Sequence, residues 1–284
     1  MNFGGIEQEY TAFDSATFVV APVPYDLTTS YQSGSRKGPQ AIVDASCNME
    51  LYDEELCRET YRKGIHTLPP LESEAGGPAD MMVSVEKCIA DIFAAGKIPV
   101  MLGGEHSISV GAVKAAIKQY PKLTVLHLDA HADMRDTYQG TPFSHACAAR
   151  RISEICPVVQ AGIRSMSREE ALFLNEGHIK TFLQDDITAD AERIQDICGL
   201  LSGDVYISVD LDVLDPSIMP ATGTPEPGGM QWRELLTLVR CAASRCRIRG
   251  FDVVELLPIP GIVAPDFLAA KLVYKIMGYA SDKC

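Results

Sequence analysis

The sequence has no C-x-x-C pair among its nine cysteines, no block of basic residues, no low-complexity tract and no apolar run long enough to cross a membrane. Each absence excludes something. Cys47, Cys57, Cys88, Cys147, Cys156, Cys198, Cys241, Cys246 and Cys284 are odd in number and lack zinc-site or disulfide-framework spacing. Most are therefore expected to be reduced thiols, packed as small apolar residues in a cytoplasmic protein. The most apolar long stretch, residues 256–280, is interrupted by Pro258, Pro260, Pro265, Asp266, Lys271 and Lys275, whereas a span needs about 20 apolar residues. The opening MNFGGIEQEY has neither the basic nor the apolar region of a secretory signal. Positive charge is scarce: 25 Lys and Arg face 38 Asp and Glu, a formal net charge of −13. That argues against nucleic acid or an anionic membrane as partner, since both call for concentrated positive charge. It fits a cationic substrate or acids gathered around metal.

What is present is a globular α/β pattern. Hydrophobic residues make up 46% and charged residues 22%, which excludes disorder and collagen. Short runs rich in Val, Ile and Leu predict strands at 17–21, 98–102, 123–128, 157–161, 204–209 and 248–254. Several are apolar throughout rather than alternating, as parallel strands covered on both faces should be. Between them, amphipathic segments predict helices at 39–50, 79–95, 107–119, 145–155, 167–176, 188–201, 231–245 and 264–278. Pro39 suits a first helical turn, and Gly96 and Gly177 read as stop signals. No linker or repeat breaks the rhythm. A single domain over 1–284 is the economical expectation: three-layer α/β/α with a mainly parallel central sheet. In such a sheet, function gathers at the carboxyl ends of the strands.

Three of those ends are rich in chemistry. Gly103-Gly104-Glu105-His106-Ser107 follows the strand at 98–102, Asp129-Ala130-His131-Ala132-Asp133 follows that at 123–128, and Asp210-Leu211-Asp212 follows that at 204–209. Residues two apart in an extended segment point to the same side, so Asp129, His131 and Asp133 can share a focus, as can Asp210 and Asp212. Carboxylates packed this closely repel and are driven to protonate unless cations hold them ionised. Carboxylate with imidazole and no cysteine suits a divalent first-row ion such as Mn²⁺. With His106 the set is too large for one ion that keeps an open position, and it suits two ions sharing bridging carboxylates. The aspartate charges would offset those of two divalent ions, so a hydroxide between them would leave a slightly negative site, ready for a guanidinium. Bound water would have its pKa lowered toward ~7. His127, inside its strand, reads as a core residue rather than a ligand.

The segments GGEHS (103–107), DAHAD (129–133), SVDLDVLDP (208–216) and TGTPEPGG (222–229) together resemble the ureohydrolase family of arginases, agmatinases and related guanidino-acid hydrolases. SYQSGSRKGPQAI (30–42) and FDVVELLP (251–258) extend the likeness over nearly the whole chain. The resemblance implies an arginase-like fold, a homo-oligomer (trimer or hexamer) and two Mn²⁺ per subunit. One ion would sit on His106, Asp129, Asp133 and Asp210, the other on His131, Asp129, Asp210 and Asp212. It further implies that Asp133 aims the bridging hydroxide, that His145 shuttles a proton to the leaving amine and that Glu255 binds the guanidinium. Asp215, Pro216 and Asp252 read as structural, a turn acid, a turn proline and a strand acid supporting the site, and Thr224 and Glu226 as shaping the pocket floor. Glu105 departs from the aspartate common there in arginases.

The substrate expectation rests on the loop MRDTYQGTPFS (134–144). It lacks the longer, Asn-containing segment with which arginases hold the α-carboxylate and α-amine of arginine. A small cationic guanidino substrate, agmatine, is therefore expected, giving urea and putrescine. Guanidino acids such as 4-guanidinobutyrate are the alternative, arginine a weaker one. Arg135 either pairs with Asp136 or another neighbouring acid, or meets a guanidino acid's carboxylate. Single-zinc deacetylases with a distantly related fold, and a catalytically silent metal-binding relative, are the other classes to weigh.

Overall fold

The computed structural model describes residues 1–176, 179–190 and 192–281. Its strands are β1 (Phe18–Val23), β2 (Tyr52–Asp53), β3 (Arg58–Glu59), β4 (Ile65–Thr67), β5 (Ile98–Gly103), β6 (Thr124–Leu128), β7 (Val158–Ile163), β8 (Lys180–Leu183), β9 (Asp204–Asp210) and β10 (Arg247–Val254). The helices are α1 (Gly38–Ser46), α2 (Pro78–Ala94), α3 (Ser109–Gln119), α4 (Ala148–Ser153), α5 (Arg168–Asn175), α6 (Gln184–Ala189), α7 (Arg193–Gly199), α8 (Trp232–Arg245) and α9 (Ala264–Ala280). Eight strands form one sheet in the order β4-β1-β5-β10-β9-β6-β7-β8, with every pairing parallel; β2 and β3 make a separate antiparallel ribbon.

The uniformly apolar strands have a simple cause. Successive side chains leave the sheet on opposite faces, and each face is covered. Phe18, Val20, Val100, Leu102, Leu126 and Leu128 join a core shared with α1, α7, α8 and α9. The alternate residues Val19, Ala21, Met101 and Val125 join a second core with α2, α3 and α4. Parallel pairing leaves all the carboxyl ends at one edge of the sheet, where the motif-bearing loops emerge.

All six expected strands are present, in a three-layer arrangement. Two further strands, β4 and β8, lie at the sheet edges with the sequences IHT and KTFL. Such short, half-polar segments carry no usable periodicity, and pairing with β1 and β7 defines them. The helix expected at 188–201 is two helices, α6 and α7, because Asp190 adopts extended backbone angles. The helices expected from 107 and 145 each open with a 3₁₀ turn, His106–Ile108 and His145–Cys147. Gly96 follows α2 with φ +71°, in the left-handed region open to glycine; Gly177 lies outside the described residues. The described cysteines are all free thiols, and burial pushes Cys147 up to about 11 and Cys156 up to about 12. Among the described residues no helix is long and apolar enough to cross a membrane.

Candidate functional site

The four central strands β5, β10, β9 and β6 are neighbours in the sheet, and their ends bring the separate sequence motifs together. After β5, Gly104 permits an approach that no other residue would: a Cβ there would lie 2.0 Å from the Tyr25 carbonyl oxygen. Its N–H donates to Val23 O at 3.0 Å, tying this turn to the end of β1. Gly104 therefore serves close backbone packing, while Gly103 makes room for the Ile108 and Val254 side chains. Gly104→Ala is expected to destabilise the fold by about 1–3 kcal/mol or more, as overpacking does. A lower urea midpoint at unchanged slope would show it.

The turn presents His106, which is buried. Its Nδ1 has no hydrogen-bond partner among the described residues. It faces Asp129 Oδ2 at 3.1 Å, Asp210 Oδ2 at 3.3 Å and Asp133 Oδ2 at 3.4 Å. The ring is held from behind: Nε2 lies 2.9 Å from Ser208 Oγ, which donates to buried Asp252 at 2.7 Å. Asp252 is thus the supporting acid expected of it. A second focus forms at His131, whose Nδ1 lies 2.9 Å from Asp212 Oδ2 and 3.6 Å from Asp129 Oδ1. Asp129 therefore turns one oxygen toward each histidine. Asp210 turns Oδ2 toward His106, while its Oδ1 accepts the Asp212 N–H at 2.9 Å.

This donor set fits divalent cations. Among the described residues, the ion-pair partners of these four aspartates are histidines only. Burial, then neighbouring carboxylates, pushes Asp133 and Asp210 well above the usual carboxylate range. Burial works the same way on Asp129 but is outweighed by its close contacts with His106, His127 and His131, which hold it well below that range. Burial would lower His106, yet its contacts with Asp129 and Asp210 raise it well above an ordinary histidine. Without cations such crowding favours protonation, and metal binding would displace the protons. Among the described residues, two groups have ligand atoms close enough to hold an ion: His106, His127, Asp129 and Asp133; and Asp129, His131 and Asp212.

His127 is buried inside its strand, as expected, and also touches the centre. Its Nε2 lies 3.0 Å from Asp129 Oδ2 and its ring stacks on His106 with centroids 4.7 Å apart. Its place two residues before Asp129, on the same side of the chain, was the available signal, as was that of Ser208 before Asp210. Arg164 had no such signal. It donates to Asp212 O at 2.6 Å and Glu226 O at 2.8 Å, pinning the loop that carries Asp212 to the 222–229 loop.

Glu255, at the end of β10, accepts the His106 N–H at 2.7 Å. Its φ of +65° and the +51° of Asp133 are left-handed values that cost energy in non-glycine residues and gather at functional sites. Burial, followed by Asp210 and Glu105, pushes its carboxyl well above the usual range. His145 is set apart from the aspartates. Its Nδ1 lies 3.3 Å from both Thr28 Oγ1 and Ser144 Oγ, and burial is the main reason its pKa falls to about 4. His106, His131, Asp133, His145, Asp210, Asp212 and Glu255 line one cleft of about 260 Å³, whose lining also includes Tyr31, Arg135, Tyr138, Met166 and Thr224. Asp136 pairs with Arg151 at 2.8 Å, not with Arg135. Arg135 lies over the Tyr138 ring, with Nε 3.9 Å from Glu170. Asp215 accepts N–H groups of Ser217, Gly228 and Gly229, the turn role expected of it.

The sequence pattern of the Arginase family matches residues 16–278. The chain belongs to the arginase family. The N(1)-aminopropylagmatine ureohydrolase of Synechocystis sp. is 39% identical over 278 residues, covering 95% of this chain and 90% of the relative. An agmatinase of Bacillus anthracis is 34% identical over 257 residues, covering 89% and 87%. Among solved structures, the agmatine ureohydrolase of Thermoplasma volcanium superposes with a TM-score of 0.88 at 33% identity, covering 95% of this chain and 92% of that one. The family membership and arginase-like fold implied by the motifs therefore hold.

Proposed function

We propose that this chain, acting as one domain, is a two-manganese ureohydrolase that cleaves the guanidino group of agmatine to urea and putrescine. The observation that carries the reading is the buried His106 Nδ1, which makes no hydrogen bond among the described residues and faces three carboxylate oxygens at 3.1–3.4 Å beside a cleft. His106, Asp129, Asp133 and Asp210 would hold one ion; His131, Asp129, Asp210 and Asp212 would hold the other. Two such ions, when bound, lower the pKa of water toward ~7 and so supply a nucleophile at neutral pH.

The remaining work falls to side chains. Glu255 spends one oxygen on the His106 N–H, while its other accepts no hydrogen bond among the described residues, leaving it for a guanidinium N–H with matched planar geometry. Asp133, held in a left-handed conformation at the cleft, orients the attacking water by accepting its hydrogen bond. Addition of water to the guanidino carbon and cleavage of a C–N bond require a proton on the departing nitrogen. His145, lining the cleft but outside the aspartate cluster, delivers it.

A second reading, N(1)-aminopropylagmatine as substrate, is favoured by the name of the Synechocystis relative. Urea release from manganese-loaded protein tests both, with agmatine, N(1)-aminopropylagmatine, 4-guanidinobutyrate, 3-guanidinopropionate and arginine in parallel. Agmatine is expected to be turned over faster than either guanidino acid, and arginine least. A preference for 4-guanidinobutyrate would overturn the substrate assignment and give Arg135 the carboxylate. Release from none of them would overturn the enzyme reading in favour of a silent family member.

A further inference from the structure

Glu105 points at none of the four aspartates. It is fully buried and accepts three hydrogen bonds: the Thr28 N–H at 2.6 Å on Oε2, and the Thr28 and Ser107 hydroxyls at 2.7 and 2.6 Å on Oε1. Thr28 lies in the loop after β1, far from Glu105 in sequence, and its hydroxyl oxygen has a second set of contacts. It accepts the His145 backbone N–H at 3.0 Å and lies 3.3 Å from His145 Nδ1. We infer that Glu105 is a positioning residue that sets the tautomer of His145 through Thr28.

The argument is one of proton counting. A hydroxyl has a single proton and two lone pairs, while Glu105, though burial pushes its carboxyl up, has donors converging on both oxygens and so acts as an acceptor. With its proton directed at Glu105, Thr28 can only accept from the imidazole. In the neutral ring the proton then sits on Nδ1, and Nε2 carries the lone pair. Ser144 Oγ, also 3.3 Å from Nδ1, can donate or accept and so does not choose between tautomers. An amide at position 105 would remove the constraint: its NH₂ can donate to Thr28, whose hydroxyl is then free to turn toward Nδ1 and favour the opposite tautomer. Two contacts from one residue, to the backbone and to the ring, also fix the imidazole's orientation in the cleft. The consequence for catalysis rests on the proposed reading of His145 as proton carrier.

Neutron diffraction from deuterium-exchanged crystals of the manganese-loaded protein, at a mildly alkaline pH where the imidazole is neutral, tests the geometry without reference to activity. Deuterium is expected on His145 Nδ1, with the Thr28 hydroxyl directed at Glu105. Deuterium on Nε2 with a bare Nδ1, or a Thr28 hydroxyl directed at His145, would overturn the inference. In solution, Thr28→Val and Glu105→Gln should lower kcat about 10- to 100-fold, part of the usual worth of general acid–base help. KM should stay within about twofold and manganese per chain should not change. Thr28→Ser, which keeps the hydroxyl, should recover most of the loss. Both variants retaining wild-type kcat at full metal content would defeat the inference while leaving the ureohydrolase reading intact; failure of the unaltered enzyme to release urea would defeat the latter alone.

Discussion

Asp129→Asn is expected to bind one manganese per chain or fewer and to lose nearly all urea release. The side chain is fully buried, with Oδ2 3.1 Å from His106 Nδ1 and Oδ1 3.6 Å from His131 Nδ1, so it stands between the two proposed ion positions. Asparagine keeps the shape but removes the charge and turns one acceptor into a donor. A unit charge acting on another at about 4 Å, with an effective dielectric near 20, contributes ~4 kcal/mol. Each divalent ion would lose at least that much, equivalent to about 10³ in affinity. The carboxylate also accepts from His127 on Oδ2 at 3.0 Å and from the His131 N–H on Oδ1 at 2.6 Å, and the single oxygen of asparagine can serve only one of these two places. Elemental analysis of purified protein, alongside urea release, provides the check. A variant with two ions and more than a tenth of wild-type turnover would remove Asp129 from the bridging role.

His145→Ala should behave differently, keeping its metal while losing about 10²–10⁴ in kcat, the range for general acid–base catalysis. The structure separates the two functions. Among the described residues His145 forms no ion pair with the aspartates; its ring meets Thr28, Ser144 and the edge of Tyr138, 6.0 Å between centroids. Burial lowers its pKa to about 4, so the ring is neutral at pH 7 and one nitrogen can accept a proton before passing it on. The measurements are manganese per chain and steady-state kcat on agmatine. Unchanged turnover would take His145 out of the mechanism, and loss of metal would recast it as structural.

The residues of the candidate centre were legible because their cause is local. An apolar strand that ends in D-x-H-x-D or D-x-D places polar groups on one side of the chain at the sheet's carboxyl edge, and no distant information is needed to see it. The same locality showed His127 as a core residue of an apolar strand but not its neighbours: only the structure shows it stacking on His106 and meeting Asp129. Edge strands β4 and β8 and the break at Asp190 were invisible for the opposite reason, since pairing partners and backbone angles, not a hydrophobic period, define them.

The alternation of apolar runs and amphipathic segments thus determined the α/β class, the parallel strands and the motifs at their ends. Only the tertiary structure decided the order in which the strands lie. By inserting β10 between β5 and β9, it brings Glu255 against the His106 N–H across 149 residues of sequence. It likewise folds the loop after β1 over Glu105 so that Thr28 reaches His145. Periodicity reports which side of a strand a residue faces; which strands become neighbours depends on burying both faces of the whole sheet at once, and no short window of sequence contains that sum.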